Sequence, residues 1–407
     1  MKVLIVNHSD VIGGAGIAAF RLHNGLLQRD IDSRILVGTL SISSERIEMI
    51  PQKSFLEKSL LKITNNLGLN YIGILNSFNM YKHNLVSSAD IINLHNIHGG
   101  YFNYLALPSL AKRKPLVFTL HDMWSFTGRC VYSYDCSRWQ TGCGKCVQTT
   151  KGVDATRLEW ILKNWSYHHS NMTIVCPSTW LTEKARESML GIFTVYHIPN
   201  GLDTNVYKPM ESDLCRKVLG IPKEKKVLLF AAQHLNDYRK GGDFLFSSLK
   251  SLPDKLKSEI LLLTFGANGE NTAQALGMET INLGYIAGDL LKTIVFSAAD
   301  LFLFPTRSDN LPLVLQESMA CGIPMVSVKI GGVPDLVRPG ITGYLADSKD
   351  ENDFLRGIVL LLEDKSTREK MSRNCREIAV SEFSLDLMAQ RYISLYQQLI
   401  QKMPKDT

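Results

Sequence analysis

The chain has 407 residues, 45% of them hydrophobic, and carries 45 Lys and Arg against 39 Asp and Glu, a formal net charge of +6. That length allows two or three domains with sizeable cores, and the apolar share excludes a disordered chain. The mildly basic balance suits an anionic small ligand or an anionic membrane surface and is too small to argue for nucleic acid, while the lack of a run of about 18 apolar residues excludes a membrane-spanning helix.

The opening MKVLIVNHSD reads as a first strand, its apolar run being too short for a signal peptide, so a cytoplasmic protein, soluble or peripheral to a membrane, is expected. Apolar runs of four to seven residues then alternate with amphipathic stretches, the pattern of parallel sheets with crossover helices. The first series predicts strands near 3–6, 34–37, 91–94, 116–120, 173–175 and 195–198. After the first of these, Gly13, Gly14 and Gly16 precede a helix, where backbone amides can approach an anionic or hydroxyl-rich ligand. Gly14, Gly16 and Ala19 also fit a dinucleotide fingerprint. Against it, the glycines lie too far past the strand end, and the second strand ends without the acid that would hold a ribose. Asp30 and Asp32 fall in a helix-to-strand turn and read as solvated, so no catalytic divalent metal is predicted.

Residues 54–78 look like an insertion, with Lys58 and Lys62 one helical turn apart among leucines. The segment is expected to form a helix packed over the ligand cleft, with contact to an anionic membrane as the alternative. Next, LHNIHGGYFN places His95 and His98 past one strand, and FTLHDMWSFTGRC places His121 and Asp122 at the carboxyl end of another, from which side chains reach a ligand in doubly wound sheets. Cys130, Cys136, Cys143 and Cys146 follow in CVYSYDCSRWQTGCGKC. The Cys-Gly-Lys-Cys spacing lets two thiolates reach one tetrahedral ion, so structural zinc and unmetallated thiols in an ordered loop both stand as readings, with disulfides disfavoured in a cytoplasmic chain.

IPNGLDTNVYKP, residues 198–209, clusters Pro, Asn, Gly and Asp between periodic regions and reads as an interdomain linker. A second series predicts strands near 227–230, 260–265, 280–283, 301–304, 325–328 and 343–345. Between the first two of these, Arg239, Lys240, Gly241 and Gly242 close a polar loop before a helix, a place for a phosphate. NLGYIAGDLL then supplies a turn with Gly284 and Ile286. Residues 304–333, FPTRSDNLPLVLQESMACGIPMVSVKIGGV, run from a strand through a loop holding Asp309 and Leu311 into a helix that Pro312 opens and Gly322 stops. Glu317 lies on that helix, and Gly331 and Gly332 follow the next strand. A last amphipathic helix spans roughly 385–400.

Residues 304–333 resemble the donor site of retaining GT-B glycosyltransferases of family four, whose signature is two acids separated by seven residues, a small-residue helix, Gly-x-Pro and a strand. TLHDMWSFTGRC with CGKC resembles a bacterial polysaccharide-biosynthesis subgroup of that family. The chain departs from the pattern at Asp309, where Glu is commoner, at DNLP in place of ExFG, and at His234, near where an Arg is usual. The resemblance implies an α/β GT-B fold: two doubly wound Rossmann-like domains facing across a cleft, with the C-terminal helix returning to the first. The domains are then 1–199 for the acceptor, a linker at 200–209, 210–383 for the nucleotide sugar, and 384–407 as helix and tail.

The implied activity is retaining transfer of a sugar from a nucleotide-diphosphate sugar to a glycan or polyprenyl-linked glycan, with no cofactor needed for catalysis. Arg239 and Lys240 would hold the leaving diphosphate, Asp309 the sugar hydroxyls, Glu317 the ribose and His121 the sugar from the other wall. Gly284, Ile286, Leu311, Gly331 and Gly332 would complete the donor site, and Gly13, Gly14 and Gly16 the acceptor or phosphate loop. Domain closure about residues 200–203 would exclude water. A lipid-linked acceptor would bring peripheral contact with the inner leaflet of the membrane. The alternatives are a nucleotide-sugar epimerase, a phosphorylase, for which no pyridoxal lysine motif is seen, and a non-catalytic glycan-binding module.

Overall fold

The computed structural model describes residues 1–149, 152–269 and 277–402. It divides into two units, the first comprising Met1–Gly201 with the chain from Asp386 onward, the second Leu202–Leu385. In the first, β1 (Lys2–Ser9), β2 (Asp32–Thr39), β3 (Ile47–Met49), β4 (Ile91–Leu94), β5 (Leu116–Thr119), β6 (Thr173–Cys176) and β7 (Val195–His197) form a parallel sheet ordered β3-β2-β1-β4-β5-β6-β7. In the second, β8 (Lys226–His234), β9 (Ile260–Ala267), β10 (Glu279–Asn282), β11 (Leu301–Phe304), β12 (Met325–Val328) and β13 (Gly343–Ala346) are ordered β10-β9-β8-β11-β12-β13, again all parallel.

Each unit is therefore Rossmann-like, and each strand order reverses once, between β1 and β4 and between β8 and β11. At such a switch point the loops leaving the two strands diverge and open a crevice at their carboxyl ends. The central strands are buried on both faces, as in LFLF of β11 and MVSV of β12, which is why they stand out as apolar runs. β3 was not expected from the sequence. It is an edge strand whose Glu48 and Met49 are exposed, so it has no apolar run to betray it. A register shift between Ala231 and His234 disrupts the end of β8 and redirects the loop that follows.

The C-terminal helix, Leu385–Lys402, packs in the first unit through two buried tyrosines. Tyr396 Oη accepts the Asn93 side-chain amide at 2.8 Å, Asn93 Oδ1 accepts the Thr119 hydroxyl at 2.9 Å, and Tyr392 Oη lies 3.1 Å from that hydroxyl. Asn93 and Thr119 sit inside otherwise apolar strands, and the helix supplies the partners that make their burial affordable in free energy. Tyr396→Phe strands the Asn93 amide and is expected to destabilise the first unit by about 1–3 kcal/mol. Adding Asn93→Leu should recover part of the loss. All five tryptophans lie in this unit, so fluorescence-detected urea unfolding reads it.

Candidate functional site

The second unit builds its site from the loops that leave β8 and β11. Asp237 Oδ1 accepts the Arg239 amide at 2.9 Å, tightening the turn Tyr238–Lys240. Gly241 follows with φ +71°, and a Cβ there would lie 1.9 Å from the Pro305 carbonyl oxygen, so only glycine lets the turn rest on the end of β11. The Arg307 amide and the Thr306 hydroxyl both donate to the Arg239 carbonyl, at 2.8 and 3.0 Å. The Arg307 guanidinium donates to the Tyr238 carbonyl at 2.6 Å and to both oxygens of Asp243 at 2.7 Å. The two loops are thus bound along their length.

This lacing delivers Arg239 and Lys240 to one carboxylate. Asp309 Oδ2 accepts Lys240 Nζ at 2.5 Å and Arg239 Nη1 at 3.0 Å, while its Oδ1 accepts the Asn310 amide at 3.2 Å. Gly331 (φ +54°) lies against the same residue: a Cβ on it would sit 2.0 Å from the Asp309 carbonyl oxygen, which also accepts the Gly332 amide at 3.2 Å. Burial pushes the Asp309 carboxyl up, but Lys240 and Arg239 outweigh it and hold the group below the ordinary carboxylate range. Burial lowers the Lys240 pKa, with Asp309 opposing. With two cations sharing it, the carboxylate is the group whose charge is secured.

The structure therefore brings Arg239, Lys240, Asp309, Gly331 and Gly332 together. Glu317 is buried on the helix Leu313–Ala320, and Leu311 and Ile286 belong to one apolar core. Gly284 (φ +67°) is held to the end of β9, its carbonyl accepting the Gly266 amide at 2.7 Å. His234 is exposed past the β8 irregularity, its Nδ1 3.5 Å from the Asn268 side chain.

In the first unit, the loop after β1 is braced by Asp10, whose carboxylate accepts the amides of Val11, Ser41 and Ile42 at 2.8, 2.6 and 2.8 Å. Burial opposes its charge, but these donors prevail and lower its pKa. The helix Gly13–Leu27 starts without a side-chain cap, and a Cβ on Gly13 or Gly14 would meet no atom within 4 Å, whereas one on Gly16 would press on Ser9. The first turn is left with room for a ligand.

His95 and His121 meet at the ends of β4 and β5, His95 Nδ1 lying 2.8 Å from His121 Nε2. Burial drives the His121 pKa to about 4 and that of His95 well below its ordinary value. Beside them His98 Nε2 pairs with Asp122 Oδ2 at 3.0 Å, and Asp122 Oδ1 accepts the Trp124 amide at 2.8 Å.

Behind this loop lies a support that sequence reasoning missed. Lys163, fully buried on the helix Thr156–His168, donates to the carbonyls of Trp124 and Thr127 at 2.8 and 3.0 Å and sits 3.4 Å from the centre of the Trp124 ring. Burial pushes its pKa down to about 8, with Glu159 opposing. Glu159 accepts the Tyr104 hydroxyl at 2.7 Å and the Asn70 amide. A Glu and a Lys four apart on a helix ordinarily read as a solvated pair. The available signal was the setting of Lys163 among Trp160, Leu162 and Trp165.

Cys130, Cys136, Cys143 and Cys146 line one small cavity as free thiols, and Cys143 Sγ accepts the Gly128 amide at 3.1 Å. Burial raises Cys130 to about 11. Among the described residues no group of three or more His, Cys, Asp or Glu is placed to hold a metal ion, so the zinc reading gains no support. On the helix Phe55–Asn66, Phe55 is 83% and Leu56 69% exposed, and the one buried side chain is Glu57, which closes a capping box with Ser54 and accepts the Asn76 amide at 2.7 Å. Among the described residues no helix is long and apolar enough to cross a membrane.

Residues 12–206 match the family described as Glycosyltransferase Family 4, and residues 211–378 match Glycosyl transferases group 1. The protein of Escherichia coli K12 named "Putative colanic acid biosynthesis glycosyl transferase WcaC" is 24% identical over 98% of this chain and 100% of its own length. Lipopolysaccharide 1,2-N-acetylglucosaminetransferase of Salmonella typhimurium is 29% identical over 54% of this chain and 60% of that protein. The crystal structure of Anabaena HepE in complex with UDP-glucose shares the fold, with a TM-score of 0.68 and 19% identity, over 98% of this chain and 100% of the other.

Removing the shared carboxylate tests the second unit's site. Asp309→Asn leaves two adjacent cations facing each other and is expected to cost about 2–3 kcal/mol, under the range for full burial because the Lys240 and Arg239 side chains are 15% and 26% exposed. Because the folded pKa of Asp309 is depressed, the wild-type advantage should be complete above about pH 4, the unfolded value, and vanish as pH falls through the folded one. Urea unfolding of both proteins by circular dichroism from pH 7 to pH 2 checks this.

Proposed function

This chain belongs to the group 1 glycosyltransferases of GT-B fold, and we propose that it transfers a sugar from a nucleoside-diphosphate sugar, with retention at the anomeric carbon, to a glycan or lipid-linked glycan of a surface polysaccharide. The observation that carries this reading is the pair of cations gathered on Asp309 at the switch point of the second sheet. A pyrophosphate brought there offers the cations a stronger counter-charge than one carboxylate. Asp309, released from both, then becomes available to sugar hydroxyls, which ties sugar binding to diphosphate binding. Glu317 is assigned the ribose, and Gly284, Ile286, Leu311, Gly331 and Gly332 the rest of the donor.

In the proposed reaction the bond from the anomeric carbon to the phosphate oxygen breaks as the acceptor oxygen bonds on the same face. The departing phosphate oxygen takes the acceptor's proton. Arg239 and Lys240 hold the charge that develops on the diphosphate, an effect worth about 3–4 kcal/mol per well-placed donor. His121 of the first unit is assigned the transferred sugar, and the loop with Gly13, Gly14 and Gly16 the acceptor or donor phosphate. The names of the Escherichia and Salmonella relatives support a polysaccharide or lipopolysaccharide acceptor, and the UDP-glucose complex of HepE makes that the first donor to try. For a lipid-linked acceptor, the exposed Phe55, Leu56 and Ile63 with Lys58 and Lys62 supply a face suited to an anionic leaflet.

The test is incubation with a panel of nucleotide sugars, beginning with UDP-glucose, read as released nucleoside diphosphate with and without lipid-linked glycan. Conversion of the donor without acceptor would instead mark an epimerase, and binding without turnover a glycan-binding module. Lys240→Ala and Glu317→Ala should each lower transfer at least about tenfold while circular dichroism shows the fold retained. Unchanged turnover in either variant counts against the assignment.

A further inference from the structure

The helix Thr156–His168 of the first unit has its faces reversed. A helix on a water-facing surface ordinarily buries its apolar stripe and exposes its charges. Here Glu159 and Lys163 are buried, Lys163 on the Trp124 and Thr127 carbonyls and Glu159 on the Tyr104 hydroxyl and the Asn70 amide. Thr156 and Ser166 share that inner face, the Ser166 hydroxyl donating to the Tyr104 carbonyl at 2.7 Å. The outer face is apolar. Leu158, Ile161 and Trp165 are 45–50% exposed and follow one another at i, i+3 and i+7, which sets them in one stripe.

A second helix with the same reversal adjoins it. On Phe55–Asn66 the acidic side chain, Glu57, is again buried, while Phe55, Leu56 and Ile63 are exposed. The two segments meet where the Asn70 amide reaches Glu159 and where a Cβ on Gly68 would lie 2.3 Å from the Val153 carbonyl oxygen and 3.1 Å from the Ala155 Cβ. Leu67 and Val153, both exposed, stand at that junction and carry the apolar surface across it.

Charge decides what such a surface fits. Of the Lys, Arg, Asp and Glu in the two helices, those exposed are all basic: Lys58, Lys62 and Arg157. Asp154, the acid just before the second helix, accepts the Thr156 hydroxyl at 2.6 Å and the Cys146 amide at 2.8 Å. Phe, Leu, Ile and Trp edged by cations match the headgroup and upper acyl region of an anionic bilayer, where an indole is favoured and basic side chains find phosphates.

We propose that Leu158, Ile161 and Trp165 seat the first unit on an anionic phospholipid bilayer, with Phe55, Leu56 and Ile63 as a second foothold. One helix then faces lipid on its outer side and, through Lys163, holds the 124–127 loop on its inner side. The use of this seating rests on the proposed lipid-linked acceptor, whereas the seating itself requires no substrate.

Cosedimentation of the full-length protein with vesicles of phosphatidylglycerol and phosphatidylethanolamine tests it, beside vesicles of phosphatidylcholine alone. Binding to the anionic vesicles at least about tenfold tighter than to the neutral ones is expected. Equal binding to both, or binding to neither, overturns the proposal. Trp165 is the one exposed tryptophan of five, so phospholipid brominated on its acyl chains should quench part of the fluorescence, and Trp165→Phe should remove most of that quenching. No quenching, or quenching that survives Trp165→Phe, overturns it without recourse to a charged variant. Ile161→Asp combined with Trp165→Asp should weaken vesicle binding at least about tenfold with an unchanged circular dichroism spectrum, and undiminished binding overturns it. A dimer that these substitutions dissolve, in a protein that ignores lipid, would mark the surface as an interface between copies and overturn it too. If vesicle binding holds while no donor supports transfer, the functional reading fails and the seating stands.

Discussion

One carboxylate shared by two neighbouring cations organises the second unit. Arg239 and Lys240 are adjacent in the chain, and two unit charges about 4 Å apart repel by roughly 4 kcal/mol at the effective dielectric of a protein surface. Asp309 converts that repulsion into a clamp, and it does so from the loop of another strand. The turn at Gly241, the Arg307 ion pair with Asp243 and the close approach of Gly331 to Asp309 are the mechanical counterpart of that charge arrangement. They fix the backbone on which the clamp depends.

The first unit uses the opposite electrostatics. At its switch-point strand ends, burial keeps His95 and His121 neutral, and the carboxylate present, Asp122, is committed to His98. Charge is moved one layer back, to Lys163 and Glu159, where it supports the backbone of the 124–127 loop. A buried cation satisfied by two carbonyls and an aromatic face makes a stiff support. Neutral rings can donate and accept hydrogen bonds without placing a net charge at these strand ends.

Most of the architecture could be read from the sequence because central strands buried on both faces leave apolar runs, and the twelve strands expected all coincide with observed ones. β3 escaped because an edge strand three residues long with one buried side chain leaves no run. Strand-end positions of interest, such as His95, His121, Lys240 and Asp309, were also visible. Their contacts were not. Lys240 and Asp309 are 69 positions apart and His95 and His121 are 26 apart, and no local pattern states that one side chain of each pair rests on the other. For the helix Phe55–Asn66 the limit is different: periodicity identifies an apolar stripe without saying what it faces, and the side chain buried here is a capping glutamate.

The tyrosine contacts of the C-terminal helix also set an order on synthesis. The second unit is continuous in the chain, so a ribosome can deliver all of it before Tyr392 and Tyr396 have emerged. The first, although begun earliest, is finished last, because its Asn93 and Thr119 find their hydroxyl partners 303 and 273 positions downstream. Until that helix is made, Asn93 and Thr119 lack the two hydroxyls it brings, so the first sheet cannot complete its buried hydrogen bonds before the last segment of the unit is in place.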